Sequence, residues 1–378
     1  MKASGKVLVR DFSMVIALVA IGLFFAFASP AFVSARNLSN LAVELSITAV
    51  LALGMLMILL TSHVDLSVGS GVGLFGGIAA VLVFEHGWPA PASMLASLLV
   101  AIVVWTMMGA IIVKQKIPSF IITLAGLLVF KGLHWLVIHN ATIPVAPGGT
   151  ANALSLLTTY YLPKPAGLAL AAAIVVAAAW AQWRGRQRRA ALELELEPAQ
   201  DTVARVFLMG QLVFLFVLVC NQYRGIPLPA LVLAATALSV WVVTQHMRFG
   251  RYLYAIGGNE EAARISGIAV DRVVIGAFAI MGGIVALTGF MQTAYSGAST
   301  TTVGGLMELD AIAACVIGGT SLRGGRGTVT GVIFGALIMA SLLNGMTLMA
   351  VSPEIKFIAR GLVLALAVWM DVRLAKGS

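Results

Sequence analysis

Apolar stretches of about 15 to 23 residues recur along the whole chain, with short polar breaks between them. Twelve segments are legible, at 14–29, 41–60, 67–84, 92–113, 118–138, 166–182, 205–220, 228–246, 272–294, 306–320, 328–350 and 356–370. As helices, most are long enough to cross a hydrocarbon core of roughly 30 Å. Strands alternating between apolar and polar residues are absent, which argues against a β-barrel. The pattern predicts an all-α polytopic membrane protein, 1–378 forming one transmembrane domain with about 10–12 transmembrane or re-entrant helices. The segment at 306–320 and the pair flanking Asp65 are short or glycine-rich and are expected to be broken or re-entrant. Polarity divides the chain into a first group of helices at 14–182, a basic loop at 183–205, two further helices at 205–246, a polar loop at 247–271 and a last group at 272–370.

Composition agrees with the pattern: 60% of the 378 residues are hydrophobic, 10% are charged, and the mean hydropathy is +1.00. Soluble domains carry about a quarter charged residues. The net charge of +9 invites nucleic acid as a partner, but its distribution reports topology instead. With the N-terminus inside and sides alternating, Arg36, Lys164, Arg224 and Lys356 fall outside, Lys131 and Arg360 fall within spans, and the remaining Lys and Arg fall inside. Both termini are therefore expected in the cytoplasm, and no nucleic acid is expected. Lys2, Lys6 and Arg10 before an apolar run ending near Ala26-Phe27-Ala28 have the form of a signal peptide. The run is long for one, and cleavage would remove the span on which the charge pattern depends, so retention is expected. Cys220 and Cys315 sit in apolar surroundings with no disulfide or metal spacing and are read as packing residues.

Polar character concentrates in three connections. Arg184, Arg186, Arg188 and Arg189 form a membrane-surface anchor to anionic headgroups, and the alternating Leu192–Pro198 run after them fits a short helix or a solvated strand. The second connection is the stretch from His139 to Pro165, expected outside. The third runs from Phe249 to Ile268. There Gly257 and Gly258 read as a turn, Asn259 as an N-cap, Glu260 and Glu261 as first-turn anions, Ala262 and Ala263 as helix formers, and Arg264 and Ser266 as the last turn before a stop at Gly267.

Several motifs carry less than they promise. Gly71-Val72-Gly73-Leu74-Phe75-Gly76 has the letters of a dinucleotide fingerprint but lies inside an apolar span without a βαβ unit. Close helix packing is the better reading of Gly69, Gly73 and Gly77, and of Gly327, Gly331 and Gly335, each set at four-residue spacing. The stretch 318–328, GGTSLRGGRGT, lacks the lysine and hydroxyl of a phosphate loop, so ATP-driven work would need a separate ATPase. No catalytic cluster and no metal spacing occur among His63, His86, His134, His139 and His246. Carboxylates at membrane depth face a bundle interior or a watery cavity, which singles out Glu44, Asp65, Glu308 and Asp310. Asp65 sits at the polar break Ser62–Ser67, where it can cap the next helix; Glu308 and Asp310 also fit a helix start. Residues 61–80 and 319–336 resemble each other weakly, each a polar break followed by a glycine-rich span, as in transporters built from repeats.

Four long motifs, in order, resemble the permease subunits of ribose- and xylose-type ABC importers: Asp65–Ser70, Ile117–Gly126, Tyr254–Ile268 and Glu308–Gly325. The resemblance covers nearly the whole chain. It is nearest to the xylose type and the related multiple-monosaccharide type, whose extra length this chain shares, and Gln182–Arg186 and Tyr223–Pro227 also look like the xylose type, while His63-Val64 departs from the usual pair before Asp65. The resemblance implies a homodimer in the bacterial inner membrane, surrounded by lipid, docked on cytoplasmic ABC ATPases and served by a periplasmic sugar-binding protein. ATP and magnesium would sit on the ATPase; this chain would bind no cofactor or metal and would not be an enzyme. Gly257, Gly258, Asn259, Glu260, Glu261, Ala262, Ala263, Arg264, Ser266 and Gly267 would couple to the ATPase, and Asp65, Ser67, Ser119, Thr123, Glu308 and Asp310 would line the path of a monosaccharide, xylose before ribose, galactose or arabinose. A proton-coupled secondary transporter using Asp65 or Glu308 is the alternative of a different class.

Overall fold

Runs of Leu, Ile, Val and Ala in a lipid setting fold as helices because a helix satisfies every backbone group within itself. The computed structural model describes residues 2–194 and 198–376, with side chains between Met14 and Trp369. Fifteen α-helices form among the described residues: α1 Lys2–Ala28, α2 Ala35–Leu60, α3 Val68–Phe84, α4 Ala90–Gln115, α5 Ser119–Val137, α6 Ala153–Thr159, α7 Lys164–Ala191, α8 Ala199–Asn221, α9 Leu228–His246, α10 Arg248–Gly258, α11 Glu260–Ile265, α12 Val270–Ser296, α13 Met307–Ile317, α14 Val329–Leu348 and α15 Pro353–Lys376. Two antiparallel pairs of two-residue strands, β1 Ile143–Pro144 with β4 Ala298–Ser299 and β2 Tyr161–Leu162 with β3 Ile226–Pro227, tie the connections together. The chain is thus the all-α polytopic membrane protein the pattern predicts.

Among the described residues, eight helices are long and apolar enough to cross a membrane: α2, α4, α5, α7, α8, α9, α12 and α14. Proline stands immediately before α4, α5, α7, α8 and α9, at a position where its missing N–H costs nothing. The core sits around α2, whose Leu51, Leu53, Met55, Leu56 and Leu60 are fully enclosed by α9, α12, α13 and α14. α12 packs in turn on α3 and α4. α7 and α8 form a peripheral hairpin that packs chiefly on itself.

Four expectations change. Of the two segments flanking Asp65 only α3 is short, because α2 begins at Ala35, where the Ser34 side chain accepts from the Asn37 amide. The stretch 183–205 is not a loop on either side of its centre: α7 runs through the arginines to Ala191 and α8 starts at Ala199. Arg, Gln and Ala are good helix formers, and cations suit a helix C-terminus. Residues 195–197 of the Leu192–Pro198 run lie outside the described residues. Finally, the polar stretch 247–271 holds two helices, and Gly257 and Gly258 close α10 rather than forming a turn.

Loops 61–67, 259–269 and 318–328 meet at one end of the bundle, where the Gly325 amide donates to the Leu60 carbonyl at 3.1 Å. Both strand pairs lie at the opposite end, reached along α9 and α12.

Candidate functional site

The break between α2 and α3 leaves backbone groups that no helix satisfies, and α5 supplies their partners. Ser119 Oγ accepts from the Val64 amide at 3.1 Å, and Thr123 Oγ1 lies 3.3 Å from the Val64 carbonyl to which it donates. Asp65 is wholly buried. One of its oxygens accepts from Ser67 N at 2.9 Å and Ser67 Oγ at 2.6 Å, the other from Trp105 Nε1 at 2.7 Å. Asp65 therefore closes a local turn and anchors α4 to the break, instead of capping deeper amides of α3. Four of the residues read as pathway-lining, Asp65, Ser67, Ser119 and Thr123, come together here as the stitching of the break. Asp65, Ser67 and Thr123 are inaccessible in this conformation.

Glu308 and Asp310 lie apart from that group, in the first turn of α13. A segment at 297–306, extended at Ala298–Ser299 and then turning repeatedly, leads into α13, with Gly297, Gly304 and Leu306 in the left-handed region. Asp310 Oδ1 stands 3.3 Å from Arg360 Nε of α15, which gives that guanidinium a counter-charge. The Glu308 carboxylate fills the space a side chain on Gly69 would need. Gly73 meets the Val303 carbonyl and His134, Gly77 meets His134, and His134 Nε2 lies 3.1 Å from Ser299 Oγ. One glycine face of α3 thus lies against the turns before α13, the first turn of α13 and α5. Gly327, Gly331 and Gly335 lie against Thr320, Gly318 and Ala314, at the end of α13 and the loop after it.

At the loop end, both interrupted regions touch α10. Ser62 Oγ donates to the Arg323 carbonyl at 2.7 Å, and Tyr254 Oη donates to the Gly327 carbonyl at 2.9 Å. A Cβ on Gly257 would fall on the Leu60 carbonyl oxygen and the Gly325 amide, with the Gly324 carbonyl carbon at 3.0 Å. Only glycine admits this approach. α10 is amphipathic, burying Gly250, Leu253 and Ile256 and exposing Arg248 and Arg251. α11 follows after Asn259, whose Oδ1 accepts from the Ala262 amide at 2.9 Å. Arg264 bridges Glu260 at 3.1 Å and Asp271 at 3.0 Å, and hydrogen bonds to the two carboxylates hold its pKa above the ordinary value. Ala263 is buried against the bundle, whereas Glu260, Glu261, Ala262 and Ser266 are exposed, Ile265 is 81% exposed, and Gly267 has φ +82. The arrangement is a short knob, fixed at both ends, presenting an isoleucine among charges.

Sequence reasoning passed over Ile265, Trp105, Tyr254 and His134. A tryptophan in the middle of an apolar span was the available signal for Trp105, because its buried N–H needs an acceptor. For Ile265 the signal was an isoleucine in the last turn of a helix read as polar.

Residues 37–368 match the family described as branched-chain amino acid transport system permease components. The chain is 44% identical over 361 residues to the xylose transport system permease protein of Escherichia coli, a span covering 95% of this chain and 91% of that relative. It is 40% identical over 360 residues to the Haemophilus influenzae protein of the same name, 95% of each chain. Identity is 31% over 344 residues to the ribose import permease protein of Escherichia coli, covering 91% of this chain and 88% of the relative. No solved structure matches the chain.

Proposed function

The chain belongs to the family of branched-chain amino acid transport system permease components, and from that premise we propose that it is the membrane subunit of an ABC importer that brings xylose into the cytoplasm. The observation that carries the sugar is the identity to xylose permeases, 44% over 95% of the chain, against 31% to the ribose permease. The permease lies in the inner membrane with both termini and α10–α11 on the cytoplasmic side, pairs with a second copy, and takes sugar from a periplasmic binding protein. ATP and magnesium are held by a separate cytoplasmic ATPase. Its closure is received at α11, where Glu261 and Ile265 offer a charged and an apolar contact, and passed through Gly257 to both interrupted regions. The permease alternates between two arrangements, biased by ATP binding and hydrolysis on its partner. It holds sugar weakly, since a tight site would retain its cargo.

The test is uptake of radiolabelled xylose into proteoliposomes holding the permease with and without its ATPase, with binding protein and ATP supplied. Uptake is expected only in the complete system. Glu261→Arg is expected to lower it about tenfold, the effect of ~1.4 kcal/mol lost at docking. Uptake driven by a proton gradient without ATPase would establish a secondary carrier instead.

A further inference from the structure

We propose that Trp135 and Lys131 of α5, with the Thr300–Thr302 turn ahead of α13, form a water-lined contact surface for the sugar on its way through the permease. The inference rests on the sugar-import reading and assigns that reading a place on the chain. Lys131 is exposed on the outer face of α5, whose neighbours on that face, Leu124 and Leu128, are apolar. An ammonium at such a position is costly against lipid and belongs beside water or a counter-charge. The exposed Thr300 and Thr302 hydroxyls, on the turn whose Thr301 carbonyl accepts from Trp135 of α5, favour an aqueous path beside it. The Lys131 Nζ stands 5.6 Å from the centroid of the Trp135 ring, one turn further along the helix.

Trp135 is 40% exposed and has spent its N–H on the Thr301 carbonyl at 3.2 Å, which fixes the ring beside that turn. The Thr300 and Thr302 hydroxyls lie 3.0 Å apart and exposed on it. A fixed aromatic face, two hydroxyls and one ammonium make an amphipathic surface, matched to a pyranose with an apolar face and a rim of hydroxyls. Ligand sites combine these elements: apolar or aromatic area for contact and a few polar groups for orientation. Here they lie on an open wall rather than in a closed pocket, so the contact is weak and passing.

The complete importer is tested in two ways. Lys131→Cys, in a chain whose Cys220 and Cys315 are both buried, is treated with a hydrophilic methanethiosulfonate and, separately, with a lipid-soluble maleimide. Labelling by the hydrophilic reagent is expected; labelling only by the lipid-soluble one, or by neither, overturns the proposal. In proteoliposomes, Trp135→Ala is expected to lower sugar uptake per ATP hydrolysed by about fivefold, while Trp135→Phe, which keeps an aromatic face, stays within about twofold of wild type. An unchanged ratio for Trp135→Ala overturns the proposal, as does an equal loss in both variants, which would mark the ring as a structural support. A wild-type complex that hydrolyses ATP without importing sugar would refute the sugar-import reading itself, and the labelling result would still decide whether this face of α5 meets water.

Discussion

Gly257 and Gly258 are adjacent, both end α10, and differ in what surrounds them, so alanine at each separates a steric effect from a helix-propensity effect. At Gly258 an added Cβ meets nothing within 4 Å. Alanine there gains the ordinary advantage over glycine, about 0.5–1 kcal/mol at most. At Gly257 the same Cβ falls on backbone atoms of Leu60 and Gly325. Neither can swing aside as the end of a side chain can, and the two are hydrogen-bonded to each other at 3.1 Å. The propensity gain is shared by both variants, so their difference isolates overpacking, about 1–3 kcal/mol. Thermal unfolding of the purified permease in detergent reads the stability term, and Gly257→Ala should melt below Gly258→Ala. Reconstitution reads the functional term: ATP hydrolysis should continue in Gly257→Ala while uptake per ATP falls, because α10 no longer seats against both interrupted regions. Equal melting points and equal coupling in the two variants would refute the reasoning.

Two further predictions concern buried charge. Asp65→Asn replaces one acceptor oxygen by an N–H₂ that must face either the donors of Ser67 or the Trp105 N–H, at a cost of about 1–3 kcal/mol. Because the pair is in contact, Asp65→Asn and Trp105→Phe should be non-additive by at least about 0.5 kcal/mol in a thermal double-mutant cycle, and strict additivity would count against the contact. Arg360→Met leaves the Asp310 carboxylate buried without its cation, a loss of roughly 3–5 kcal/mol in comparable settings. Adding Asp310→Asn should restore much of the yield and melting point, and no recovery would show that Arg360 serves some other group.

The architecture was legible because membrane depth imposes one solution, the helix, wherever the apolar run is long enough. Helix ends with their own chemistry were legible as well: Asn259 caps α11, the anions occupy its first turn, and Gly267 adopts the left-handed conformation expected of a stop. Helix ends decided by surroundings were not. Two consecutive glycines read locally as a turn, yet they continue α10, because Gly257 is selected by the backbone it lies against and not by its own conformation. The Asp65 reading was half of the account: its carboxylate does accept from a freed backbone N–H at the start of α3, that of Ser67. Local spacing offered a cap, whereas the second acceptor interaction goes to Trp105, forty positions away on another helix. Ser119 and Thr123 were picked out through a resemblance; their bonds to Val64 give a reason for hydroxyls at four-residue spacing on α5 that no periodicity could have supplied.

The two interrupted regions explain why coupling should converge on α10. An unwound segment near membrane depth must find partners for its freed backbone, and the segments at 61–67 and 318–328 find part of theirs in each other: Gly325 donates to Leu60, and Ser62 donates to Arg323. Neither can then shift without straining the other. α10 touches both, by Tyr254 on Gly327 and by Gly257 on Leu60 and Gly325. Glycine's missing side chain matters mechanically, since contacts between backbones have no rotamer through which to absorb a displacement, and packed elements respond by switching between discrete arrangements more than by yielding. A push on α11 would therefore reach the Asp65 break, on one side, and the α13–α14 turn below Glu308 and Asp310, on the other, as a single movement. The weak likeness between 61–80 and 319–336 acquires a physical sense from this: two similar breaks, joined to each other, would be driven from one point.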